Sequence, residues 1–147
     1  MLYFWNREKL ARRNKDEGEA FLAENQKQEG VIMLPSGLQY KIIEEGTGET
    51  PKPNDTVVVH YRGTLIKRRS LFKQKEFDSS YRNRGPATLQ VNRVIAGWTE
   101  ALQLMQVGAK WQLFVPPHLA YGVRGAGRRI GPNTTLIFEV ELITIEK

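Results

Sequence analysis

The chain contains no cysteine, and histidine occurs only twice in its 147 residues, as His60 and His118. Without thiols there are no disulfides, thiolate metal sites or cysteine nucleophiles. The two histidines stand 58 positions apart (118 minus 60), neither has a metal-type neighbour at helical spacing, and both read as structural or surface groups. No apolar run approaches the ~18 residues of a membrane-spanning helix. No serine lies in a nucleophile-elbow context. Gly125-Ala126-Gly127 lacks the preceding strand and following helix of a dinucleotide loop. No cofactor and no metal-ligand set is therefore expected.

The composition is that of an ordinary globular chain, with 40% apolar and 26% charged residues and a net charge of +6. Charge of this size keeps a protein soluble and does not by itself make a nucleic-acid binder, so no nucleic-acid partner is expected. Leu2-Tyr3-Phe4-Trp5 is too short for a signal-peptide core and is ended by Asn6-Arg7-Glu8. Two readings stay open there: a chain not exported as written, or one whose leader has been removed or replaced.

The chain divides by texture into residues 1–30 and 31–147. Residues 6–29 are polar and proline-free and read as a helix ended by Gly30. So polar a helix projects into solvent or uses Phe21 and Leu22 to dock. It also leaves open pairing with a second copy, or the stump of a longer protein. Beyond residue 31 the pattern becomes strand-like. Residues 38–42, 109–115 and 134–145 alternate, Thr56–Leu65 is rich in Val and Tyr, and 77–78 and 87–91 are short strand candidates. Turn clusters occupy 45–48 and 51–55. Trp98, Ala101, Leu102 and Met105 make one apolar helical face, and Gly108 suits the end of that helix. The fold class is α+β, with a short helix packed on an antiparallel sheet.

Five segments carry a more specific pattern: 57–65 (VVVHYRGTL), 77–80 (FDSS), 94–98 (VIAGW), 119–122 (LAYG), and 131–133 (GPN) leading into 136–142 (LIFEVEL). In this order the series resembles the FKBP family of peptidyl-prolyl cis/trans isomerases over residues 36–146. Residues 14–40 are similar to the macrophage-infectivity-potentiator (Mip) branch, in which a helix leads into the isomerase domain.

The resemblance implies a half-wrapped antiparallel β-sheet around a short α-helix, with an N-terminal helical extension and a proline pocket between sheet and helix. It implies Trp98 as pocket floor and Tyr61, Phe77 and Phe138 as aromatic walls. Asp78 would be the polar group near Tyr61, and Tyr121 the hydroxyl donor to a substrate carbonyl. Val94 and Ile95 would line one side, with the Ile95 N–H offered to the ligand. Ile130 would sit on an overhanging loop and Leu89 behind the walls. The implied partners are proline-containing polypeptides and the macrolides tacrolimus and rapamycin. The implied location is the periplasm or cell envelope, with the cytoplasm as alternative.

Three departures from the family pattern stand out. Ala87 replaces an aromatic wall residue of some members, Arg129 replaces an apolar loop residue, and the hairpin over 65–76 is long, basic and free of glycine. That hairpin leaves an alternative: a weakly catalytic module of the same fold that docks an acidic partner through it.

Overall fold

A computed structural model describes residues 2–66 and 75–147, with side chains from residue 6 onward. Most of the basic hairpin flagged in the sequence, 67–74, lies outside the described residues. The chain begins with helix α1 (Leu2–Asn25) and strands β1 (Val31–Met33), β2 (Gln39–Glu44) and β3 (Thr56–Leu65). Strands β4 (Glu76–Ser79) and β5 (Ala87–Gln90) follow, then a 3-10 turn (Val91–Arg93) and helix α2 (Ala96–Leu102). Strand β6 (Lys110–Val115), a second 3-10 turn (Pro117–Leu119) and β7 (Leu136–Glu146) complete it. The seven strands form one antiparallel sheet in the order β1-β2-β6-β7-β3-β4, with β5 sharing the outer edge of β3 with β4. The half-wrapped sheet around one short helix that the resemblance implied is the observed arrangement.

The two longest strands, β3 and β7, run side by side through the middle and set the inner face. Val57 and Val59 on β3, and Leu136, Phe138, Val140 and Leu142 on β7, are buried at alternate positions. Helix α2 lies across that face and buries Trp98, Ala101 and Leu102, with Met105 just beyond its end. Gly97 permits the approach, because a Cβ there would stand 2.7 Å from Val115 Cγ1. Fully burying side chains of this kind is worth roughly 1.5–3 kcal/mol each.

α1 ends at Asn25, five residues short of Gly30, and turn residues carry the chain to Gly30 at φ +85° and into β1. β1 was not expected: it pairs with β2, from Val31↔Lys41 to Met33↔Gln39. Three residues with two exposed faces carry no alternation for sequence reading to find. Of the two expectations for α1, docking holds. Phe21 meets Phe114 at 6.1 Å between ring centroids, and Gln39 Nε2 donates to Leu22 O at 3.0 Å.

Candidate active site

The inner face of the sheet changes character where β3 reaches Gly63. Cross-strand register places Gly63 between Phe138 on β7 and Asp78 on β4. A Cβ at Gly63 would stand 2.5 Å from Phe77 Cζ and 2.9 Å from Phe138 Cε1. The missing side chain is therefore the space the two rings fill. Register then slips, so that Thr64 pairs with Glu76 and Phe77 is the extra residue of a bulge. A bulge re-aims side chains. Here it lets consecutive Phe77 and Asp78 both reach the same cavity, which a regular strand forbids.

That cavity, of ≈470 Å3, is lined by Tyr61, Phe77, Asp78, Leu89, Val94 and Ile95, with Trp98, Tyr121, Phe138 and Arg93 completing it. Its aromatic rings meet edge to face. Trp98 lies 5.2 Å from Phe138 at 85° and 5.3 Å from Tyr61 at 79°, and Phe77 lies 5.5 Å from Phe138 at 82°. Such pairs are favourable beyond their buried area, so the walls support one another. Trp98 is 5% exposed, and its Nε1 is buried without a hydrogen-bond partner among the described residues.

Polar groups sit at one corner. Tyr61 donates its hydroxyl proton to Asp78 Oδ2 at 2.7 Å. Asp78 Oδ1 accepts from the Ser79 N–H at 2.8 Å and from Asn83 Nδ2 at 3.0 Å. Both carboxylate oxygens are thus occupied as hydrogen-bond acceptors. Burial pushes the Tyr61 phenol up to about 12, helped by its hydrogen bond to Asp78 and that residue's negative charge. It stays protonated at any physiological pH. Tyr121, on the loop after the second 3-10 turn, is 42% exposed, and no hydrogen bond of the described residues uses its hydroxyl. Nor does any use the Ile95 N–H, which stands free at the start of α2.

A second concavity of ≈350 Å3 continues from the first, sharing Phe77, Asp78 and Tyr121 and adding the loop residues Arg128, Arg129 and Ile130. Arg129 Nη1 donates to Phe77 O at 2.9 Å, tying the loop to the wall strand. Ile130 is 6% exposed and bridges back to Ala126.

The structure brings nine of the ten expected site residues, all but Ile130, to one cavity; Ile130 lines its extension. Leu89 lines the cavity itself rather than standing behind it. Ala87 is not among the lining residues, so position 87 adds no aromatic wall to Tyr61, Phe77 and Phe138. Two contributors were missed. Arg93 is the last residue of a 3-10 turn that periodicity did not reveal. Asn83 lies in a polar turn before Gly85-Pro86, and only its spacing of five from Asp78 hinted at contact. The histidines have structural partners. His60 Nδ1 lies 2.9 Å from Ser80 Oγ and its ring stacks on Tyr81, while His118 Nε2 meets Ser36 O at 2.7 Å.

A larger groove of ≈790 Å3 separates α1 from the sheet and is lined by Leu22, Met33, Pro116 and Val123 among others.

Comparison with known proteins agrees with this fold. A family described as "FKBP-type peptidyl-prolyl cis-trans isomerase" matches residues 47–143, and "Domain amino terminal to FKBP-type peptidyl-prolyl isomerase" matches residues 4–42. The chain is 53% identical over 139 residues to the outer membrane protein MIP of Legionella longbeachae, covering 95% of this chain and 57% of that protein. It is 51% identical over 129 residues to the FKBP-type 22 kDa peptidyl-prolyl cis-trans isomerase of Escherichia coli, covering 88% and 60%. The crystal structure of FkpA from Escherichia coli superposes with a TM-score of 0.88 at 42% identity, covering 96% of this chain and 63% of that one. The chain spans 47–60% of the length of these and the other curated relatives it matches. With family matches over residues 4–42 and 47–143 and a fold to accord with them, the chain belongs to the FKBP-type peptidyl-prolyl cis-trans isomerase family, in its Mip-like branch.

Proposed function

We propose that this chain catalyses cis/trans isomerisation of Xaa-Pro bonds in polypeptides, and that the cavity floored by Trp98 receives the prolyl ring. The observation that carries the reading is the division of labour among its polar groups. One phenol, Tyr61, is locked onto Asp78, while no hydrogen bond among the described residues engages the hydroxyl of another, Tyr121, or the Ile95 N–H.

The uncatalysed rotation crosses a barrier of about 18–20 kcal/mol, set by the amide resonance that is lost as the bond twists. No bond breaks, so neither nucleophile nor metal is needed. The planar amide is more charge-separated than the twisted one. A dry aromatic cavity disfavours the planar form relative to the transition state. Donors fixed in advance at Tyr121 and Ile95 hold the flanking carbonyls while the prolyl side turns. The Tyr61–Asp78 pair keeps one wall rigid, and the carboxylate accepts without moving a proton.

Tacrolimus and rapamycin would compete for the same cavity, and the natural substrates would be folding or flexible chains containing proline. The relatives' printed names, the outer membrane protein MIP among them, support a place in the cell envelope, which fractionation of the native source would test.

Exchange NMR on an Ala-Phe-Pro-type peptide, with and without rapamycin, tests the reading. Acceleration that rapamycin abolishes is the expected result. Tyr121→Phe removes one substrate hydrogen bond and should lower kcat/KM about two- to tenfold. Asp78→Val leaves the Tyr61 hydroxyl without its acceptor and should lower it further. Isomerisation unchanged by both substitutions would overturn the assignment of the cavity.

A further inference from the structure

Helix α1 touches the domain along one stripe. Arg7, Leu10, Ala11, Asn14, Gly18 and Phe21 are the partly or wholly covered positions at helical spacing, with Leu22 and Asn25 continuing it. What the N-terminal half of that stripe grips is the loop that closes the cavity. Arg7 Nη2 donates to Arg124 O at 2.7 Å and to Val123 O at 3.2 Å, three and two residues beyond Tyr121. Asn14 Nδ2 donates to Pro132 O at 2.9 Å, two residues beyond Ile130. In the reverse direction Asn133 Nδ2 reaches Ala11 O at 3.4 Å. Leu10 and Asn14 also flank Gly131, whose built Cβ would lie 3.6 and 3.4 Å from them.

Both stems of the loop are therefore held from outside the domain's own sheet. Within the loop, Gly125 N–H donates to Tyr121 O, and Ala126 and Ile130 exchange backbone bonds. Its tip is fastened to the cavity wall through Arg129 and Phe77 O. The loop carries positive-φ glycines at Gly122, Gly125 and Gly127, so its own backbone is permissive. The stems also bond to each other, Asn133 N–H to Gly122 O at 2.9 Å, so α1 adds an outside hold to a loop whose own backbone is permissive.

We propose that α1 is a positioning element for the active site: Arg7 and Asn14 hold the loop so that Tyr121 and Ile130 face the bound proline. This rests on the functional reading above, because Tyr121 matters only if it meets substrate. Neither Arg7 nor Asn14 touches the cavity, so both act through the loop. When the loop is released, only part of the population presents Tyr121 correctly. Apparent affinity then falls in proportion to the competent fraction, while bound substrate turns over normally. KM should therefore rise and kcat stay.

The test uses the full chain carrying Arg7→Ala with Asn14→Ala. The expected result is a KM about three- to fivefold higher with kcat within about twofold, the range that follows when the competent fraction drops to roughly a quarter. Amide hydrogen exchange at Gly125, Ala126, Ile130 and Asn133 should quicken in the same variant, while exchange in β3 and β7 stays as before. Arg7→Lys retains a donor toward Arg124 O and should recover part of the KM. Should the double variant not fold, Asn14→Ala alone removes one stem bond and is read the same way. An unchanged KM overturns the proposal, as does a loss confined to kcat. Unchanged loop exchange overturns it too, and that measurement needs no catalysis. A wild-type chain without isomerase activity would instead defeat the functional reading and leave the exchange result to judge the latch.

Discussion

Gly63→Ala adds one methyl group to the middle of β3 and tests whether the cavity's shape is what catalyses. The added Cβ would stand 2.5 Å from Phe77 Cζ and 2.9 Å from both Phe77 Cε1 and Phe138 Cε1. Ordinary carbon contacts are ~3.5 Å or longer, so the Phe77 ring must retreat by about 1 Å. These rings pack edge to face with each other, and Phe138 packs likewise on Trp98, so displacing one disturbs the set. Overpacking of this kind costs about 1–3 kcal/mol, less roughly 0.5–1 kcal/mol gained because alanine suits a strand better than glycine. A net loss of ~1–2 kcal/mol lowers Tm by about 3–6 °C in a chain of this size. Activity should suffer far more. A misplacement of ~1 Å in catalytic geometry can cost 100-fold, so kcat/KM should fall about 10- to 100-fold.

Stability and shape are separated by a matched variant. Ile145→Ala, near the far end of β7 and outside the cavity lining, should cost about 2 kcal/mol by leaving a gap. It should keep wild-type kcat/KM below its Tm. Calorimetry and peptide exchange NMR on the pair give the answer. Gly63→Ala retaining full activity, or Ile145→Ala losing as much, would refute the claim that the ring arrangement is the catalyst.

Asp78→Asn removes the charge and leaves a single amide oxygen where two carboxylate oxygens accept from Tyr61, Ser79 and Asn83. The Tyr61 pKa should fall from about 12 yet stay above 10, because burial, its largest cause, remains. A 13C titration of the phenol carbon reads this directly. Because the folded-state pKa lies above the unfolded value of ~10, this group's contribution to stability is complete below pH ~10 and is lost as pH rises toward 12. The substitution should narrow that alkaline window in denaturation curves. Gly18→Ala should lower Tm although alanine gains ~0.8–1 kcal/mol in helix propensity, because its Cβ would collide with Thr135 Oγ1. Adding Thr135→Ala removes that oxygen and should restore most of the loss; a rise in Tm from Gly18→Ala alone would contradict the close approach.

The strands that build the cavity were legible because they obey period two. The whole of β3 (Thr56–Leu65) coincides with its sequence reading, and β7 (Leu136–Glu146) starts two residues later and ends one later than the reading of 134–145. Val57, Val59, Phe138 and Val140 alternate inward without interruption. What alternation cannot show is a bulge. Nothing in Phe77-Asp78 announces that two neighbours face one cavity; the likeness to a family carried that, and the register slip at Gly63 and Thr64 explains it. Nor does residue type separate a phenol that donates to Asp78 from one that donates to none of the described residues. Tyr61 and Tyr121 are the same letter, and only the structure shows that one is bonded to Asp78 while no bond among the described residues engages the hydroxyl of the other.

Helix α1 shows the same limit for a different reason. Hydrophobic periodicity finds a docking face only when that face is greasy, and this one is bound largely by Arg7, Asn14 and Asn25 through hydrogen bonds and by Gly18 through the lack of a side chain. Phe21 and Leu22 were the visible fraction of it. The polar members bond mostly to backbone carbonyls, which every sequence possesses, so no partner residue type marks them. The same fact makes the attachment fragile in a predictable way. Bonds to carbonyls survive substitution in the loop, whereas loss of the single Arg7 guanidinium removes two of them at once. The control point for the loop therefore lies on the helix, more than a hundred residues earlier in the chain than the tyrosine it positions.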